Sequence, residues 1–169
     1  IVCVNEGVEA IGLLLNKGTF SCSIGKEETL MEVDKVNAFQ FVLQVWDSLF
    51  AYKLSNWLPF NQENYTKYIA LESIAEKSTF LEKILIGNIL SMGKGLGVNF
   101  EKEVICKITQ IKDNRLLKYK EVKMMAFNVE FKSNVSLPDF IGLGKGASTG
   151  FGVVARKKEN ELKNNLKIK

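Results

Sequence analysis

Between Ile141 and Gly152, five glycines fall in eleven residues, with Lys145 and Ser148 set among them. Residues of these types can hold an anion. Glycine has no Cβ, so the main chain can come close to a phosphate and offer consecutive N–H groups as a nest. Lys145 would add a positive charge and Ser148 a hydroxyl donor. Two familiar phosphate patterns fail on this stretch. A nucleoside-triphosphate loop needs lysine followed at once by serine or threonine, whereas Lys145 is followed by Gly146. A dinucleotide fingerprint needs a strand before and a helix after, and here the β-forming Phe151, Val153 and Val154 follow. A flexible hairpin loop with glycines at its bends explains the spacing equally well. A second run, Gly93 to Gly97 around Lys94, has the same two readings, and a helix end is the simpler one.

Other chemistries are excluded by composition. The 169 residues contain no histidine. That removes serine–histidine and cysteine–histidine catalysis, histidine-based zinc sites and any imidazole acid or base from this chain. Cys3, Cys22 and Cys106 lie far apart, so neither a paired-cysteine zinc site nor a disulfide framework is expected. They read as small thiols of a cytoplasmic protein. No apolar run is long enough for a membrane span and no signal peptide is visible, so no membrane partner is expected. The net charge of +4 invites a nucleic-acid reading, but residues 156–169 alone carry six cations and two anions. The remainder is neutral, with residues 1–58 at −3 and residues 59–155 at +3. The basic end reads as a solvated tail.

Elements must position the glycine stretch. Ile1–Val4 reads as a strand, and Glu6–Leu15 as a helix closed by Asn16-Lys17-Gly18. Thr19–Ile24 reads as a strand, with a turn at Gly25-Lys26. Alternation from Phe39 to Val45, a turn at Asp47-Ser48 and a strand to Trp57 predict a β-hairpin. Its aromatics suit a core or an RNA-stacking platform. Asn61 is a plausible helix N-cap, with Glu63 in the first turn. Apolar residues at three- and four-residue steps predict helix from Glu63 to about Ser91, with a break near Lys77-Ser78-Thr79. Phe100, Lys102, Val104, Cys106 and Ile108 share one strand face, and a turn is expected at Asp113-Asn114. Met125, Phe127, Val129 and Phe131 line one face of the next strand, while Asn128, Glu130 and Lys132 line the other. Phe151–Ala155 is the last strand.

This mixture predicts an α+β fold with antiparallel sheets, arranged as two ferredoxin-like (RRM-like) domains. The expected division is residues 1–60, residues 61–158 with the glycine-rich loop, and a basic tail over residues 159–169. The first half is one strand short, and the chain opens on Ile1-Val2-Cys3-Val4 with no methionine. A truncated first domain is therefore expected.

Several segments together resemble a known family. They are Gln44-Val45-Trp46-Asp47, Asn56-Trp57-Leu58, Asn88 to Gly95, Tyr119 to Lys123, Met125-Ala126-Phe127 and, most specifically, Leu137 to Val154. They are similar to the CRISPR-associated endoribonucleases of the RAMP superfamily, which process precursor CRISPR RNA. The resemblance implies tandem ferredoxin-like domains, no metal cofactor and CRISPR repeat RNA as partner. The implied reaction is 2′-hydroxyl attack on the adjacent phosphate, leaving a 2′,3′-cyclic phosphate. It also implies that Gly142, Gly144, Lys145, Gly146, Ser148, Gly150 and Gly152 hold the RNA backbone, with Lys94 as a lesser candidate on the same surface. Other CRISPR effector subunits and a second copy of the chain are further possible partners. The family's usual base is a histidine of the N-terminal domain, and this chain has none. Catalytic residues are therefore expected upstream of Ile1. The alternatives are a non-catalytic RNA-binding subunit of an effector complex, cutting by tyrosine or lysine, and a nucleotide-binding protein that uses the glycine loop alone.

Overall fold

The computed structural model describes residue 3 and residues 6–16, 18–36 and 40–157. The expected strand at Ile1–Val4, all but one residue of it, and the basic tail lie outside them. The described chain is α+β with two antiparallel sheets. It divides into two compact units between Phe41 and Val42.

The first unit is a helix α1 (Glu6–Leu15) and a hairpin of β1 (Thr19–Ile24) and β2 (Glu27–Glu32). The helix ends as its sequence predicts. Gly18 takes a left-handed φ of 74°, and its N–H donates to the Leu15 carbonyl.

The second unit carries β3 (Val45–Trp57), α2 (Gln62–Ala70), α3 (Ile74–Gly95), β4 (Cys106–Tyr119), β5 (Val122–Val135) and β6 (Val153–Arg156). Its sheet runs β4-β5-β3-β6, antiparallel throughout. That is the strand order of a ferredoxin-like split βαβ unit. In place of a second crossover helix, residues 136–152 return the chain from β5 to β6. Their only helical turn is the short 3-10 segment Ala147–Thr149. The glycine-rich stretch therefore stands where a helix would pack.

The boundary lies upstream of the expected residue 60 because β3 belongs to the second sheet. It pairs with β5 on one side and β6 on the other. Of the expected hairpin over Phe39–Trp57, Phe39 lies outside the described residues, residues 40–44 have no regular structure, and Val45–Trp57 is one strand. Asp47-Ser48, read as a turn, falls in a register irregularity between Val45 and Phe50. A bulge absorbs the polar pair without reversing the chain.

The helix breaks at Leu71–Ser73, earlier than expected. Ser73 accepts the Glu76 N–H while Glu76 accepts the Ser73 N–H, a capping box that starts α3. Lys77, Ser78 and Thr79 are helical. The β4–β5 turn is at Lys120-Glu121, both with positive φ, and not at Asp113-Asn114. Asp113 lies within β4, where its carboxylate accepts from Asn128 Nδ2.

Leu81, Leu85 and Ile89, spaced four apart on α3, pack with Tyr52, Leu54, Trp57, Phe127, Val129 and Phe131 of the sheet. Burying these side chains stabilises each by about 1.5–3 kcal/mol before entropy is subtracted. Polar groups inside are satisfied. The Tyr52 hydroxyl donates to the Val135 carbonyl and accepts the Leu137 N–H. No helix among the described residues is long and apolar enough to cross a membrane.

Candidate nucleic-acid interface

The glycine-rich loop is seated from below by the end of β3. Asn56 adopts a left-handed φ of 52°, and its carbonyl accepts the Gly152 N–H. Its own N–H donates to Asn128 Oδ1, and its Oδ1 accepts from Arg115. The next residue, Trp57, donates its indole N–H to Asn88 Oδ1 on α3 at 2.9 Å. Gly144 lies on that bond, and a Cβ there would stand 2.9 Å from Trp57 Nε1 and 3.1 Å from Asn88 Oδ1. Ahead of the loop, Phe140 and Ile141 flank β6. The Phe140 N–H donates to the Val154 carbonyl, and the Val154 N–H to that of Ile141.

Most of the loop's glycines have packing reasons to lack a side chain. A Cβ at Gly142 would meet Ala147, and one at Gly146 would meet Tyr119 and Phe151. One at Gly152 would collide with the Leu143 carbonyl. Gly150 differs: it has space, and its φ of 87° is the reason for glycine.

Many of the amides are also spent within the protein. The Leu143 N–H donates to the Gly152 carbonyl and the Gly152 N–H to the Asn56 carbonyl, and the N–H groups of Thr149, Gly150 and Phe151 close turns on Gly146 and Ala147. Lys145 donates its N–H weakly to the Leu58 carbonyl at 3.4 Å. Among the described residues, the N–H groups of Gly144, Gly146, Ala147 and Ser148 have no protein acceptor. The cradle expected along the whole stretch is thus confined to its tip. There Lys145, Ala147, Ser148 and Thr149 are exposed.

Lys94 is placed apart. It is exposed in the last turn of α3, outside the groove beside the loop. Its neighbour Gly93 is structural, because a Cβ there would stand 2.6 Å from the Phe100 ring. Tyr119 joins the loop instead. Its ring meets Phe151 edge-on at 5.6 Å, which brings the β4–β5 hairpin tip beside the loop. That tip carries Lys118, Lys120 and Lys123. Sequence reading missed this because it placed the turn at Asp113-Asn114.

The loop borders an open groove of about 570 Å³ between α2, α3 and residues 142–147. Among the described residues no carboxylate lines it, and Lys145 is its one charged residue. Titrating groups with shifted values move away from neutrality. Burial pushes the Cys106 thiol up to about 11 and raises the Tyr52 and Tyr68 hydroxyls. Burial also pushes the Glu130 carboxyl up, but the ammonium groups of Lys112 and Lys157 outweigh it and hold it below the usual carboxylate range.

Residues 44–157, which include the loop and its seat, match the Cas6b C-terminal domain family. The chain belongs to the Cas6b family. An uncharacterized protein of Methanocaldococcus jannaschii is 38% identical over 116 residues, 68% of this chain and 78% of that protein. A crystal structure of Cas6b matches with a TM-score of 0.70 at 26% identity, over 91% of this chain and 79% of that one. A second, described as the CRISPR RNA processing endoribonuclease Cas6b, gives 0.66 at 23%, over 92% and 94%. The type IV Cas6 crRNA endonuclease Csf5 gives 0.54 at 14%, over 89% and 56%. These last two speak to the fold alone. The Cas6b domain begins three residues after the boundary between the compact units.

Proposed function

We propose that this chain binds CRISPR repeat RNA and serves the metal-independent cleavage of precursor CRISPR RNA. In that reaction the 2′-hydroxyl loses its proton and attacks the adjacent phosphorus. The bond to the 5′-oxygen breaks, and that oxygen takes up a proton. A 2′,3′-cyclic phosphate and a 5′-hydroxyl result. The observation that carries the reading is the loop tip of this Cas6b-family chain: four amides without a protein acceptor among the described residues, beside the exposed Lys145. Such donors hold the non-bridging oxygens of a phosphate and favour the extra charge of the transition state.

This part of the chemistry is binding and charge stabilisation. A base near neutrality is also needed. The chain has no histidine, Tyr52 and Tyr68 are moved the wrong way by burial, and so is Cys106. That observation favours a second reading, a non-catalytic RNA-binding subunit. Incubation with repeat RNA in EDTA separates the two. Cleavage with a cyclic-phosphate end supports the enzyme, and tight binding without cleavage supports the subunit. A strict requirement for Mg²⁺ overturns the mechanism, and no binding overturns both readings.

A further inference from the structure

Gly87 lies in the middle of α3, where glycine is destabilising by about 1 kcal/mol relative to alanine. Unlike Gly93 it has no packing reason to be there: a Cβ would meet nothing within 4 Å. What the missing side chain leaves is space, because Gly87 lines the groove beside the loop. The rest of the lining is selective in its chemistry. Leu58, Pro59, Ile84 and Met92 give apolar surface, and Asn61, Asn64, Asn88 and Ser91 give neutral hydrogen-bonding groups.

Two of those asparagines have fixed orientations. Asn61 Oδ1 accepts the Asn64 N–H, and Asn88 Oδ1 accepts the Trp57 indole N–H. Both donors can only donate, so each asparagine's amide orientation is set: one lone pair of its carbonyl is committed, and its NH₂ group is open to a ligand. Together with the Gly144 amide and the three N–H groups of the Lys145 ammonium, the groove offers more donors than acceptors.

We propose that this groove takes one nucleotide of the bound RNA strand, its phosphate at the loop tip and its base between α2 and α3. The donor excess favours uracil, whose edge offers two carbonyl oxygens against one N–H, over adenine, whose edge carries an amino donor, and over guanine, which carries three N–H donors. A single unstacked nucleotide fits the volume, and the apolar lining suits the face of a base. The inference rests on the RNA-binding reading above and adds the site and its base preference.

Gly87→Ala and Gly87→Leu test it without touching the loop. Both replace a helix-interior glycine in open space, so both should raise the unfolding midpoint by a few degrees or leave it unchanged. Leucine fills the groove. Repeat RNA should then bind at least tenfold more weakly to Gly87→Leu and nearly normally to Gly87→Ala. Replacing each uridine of the repeat in turn by adenosine should weaken binding to the wild type at one position and leave Gly87→Leu indifferent there. Wild-type affinity in a folded Gly87→Leu protein overturns the groove while leaving the RNA-binding reading standing. A blocked groove with no sensitive position overturns the base preference. Failure of the wild-type chain to bind repeat RNA overturns the parent reading and the groove with it.

Discussion

A methyl group at Gly152 would run into the Leu143 carbonyl, and φ there is 64°. The loop's glycines thus serve first to let the segment fold on itself. Gly152→Ala should destabilise the second unit by about 3 kcal/mol or more, since both backbone strain and overlap oppose it. Gly150→Ala, with the same handedness and free space, should cost only about 1 kcal/mol. Urea denaturation of the two variants checks the contrast, and equal losses would mean that the Leu143 contact is not limiting. The position and composition of this loop were legible in the sequence. The division of labour among its residues was not, because spacing does not tell which glycine faces a carbonyl and which faces solvent. Nor does it reveal Asn56 and Trp57, whose hydrogen bonds to Gly152 and Asn88 span 96 and 31 residues along the chain.

At the scale of elements, alternation identified β5 because one of its faces is buried against helices, and Gly18 identified the end of α1. Breaks were misplaced where sequence punctuation and tertiary structure disagree. Asp47-Ser48 and Asp113 sit at irregularities of long strands, while the true reversal uses Lys120-Glu121, which carry no glycine or asparagine. The Ser73/Glu76 box, a sequence signal passed over in favour of a break near Lys77-Ser78-Thr79, marks the start of α3. On the helix-free side of β5, Glu130 is nearly buried and bridges Lys112 and Lys157 at 2.8 and 2.6 Å. Its carboxyl lies below its ordinary value in the fold. The stabilisation it gives is therefore present above the unfolded value of about 4.3 and lost as pH falls through the folded one. Glu130→Gln leaves the buried Lys157 ammonium without its counter-charge and should cost about 3 kcal/mol at pH 7. Its thermal midpoint should also change less between pH 5 and pH 3 than that of the wild type. An unchanged midpoint at pH 7 would show that the bridge does not stabilise the strand.

For the whole molecule, net charge is a poor guide to the partner. The sequence excess lies in residues 156–169, most of which fall outside the described residues. The local arrangement is more informative: a loop tip with open amides, one lysine and a groove free of carboxylates, within the domain that matches Cas6b. The α+β class and antiparallel sheets were foreseen from alternation and helical spacing. The boundary at Phe41 was not, because nothing local in Val45–Trp57 says which sheet it joins. The central claim is that Lys145 and the neighbouring amides grip an RNA phosphate. Its most direct test is the salt dependence of repeat-RNA affinity for the wild type and Lys145→Ala. The variant should bind more weakly at low salt, and the slope of log affinity against log salt should be shallower by about one. Superimposable lines for the two proteins would contradict the account.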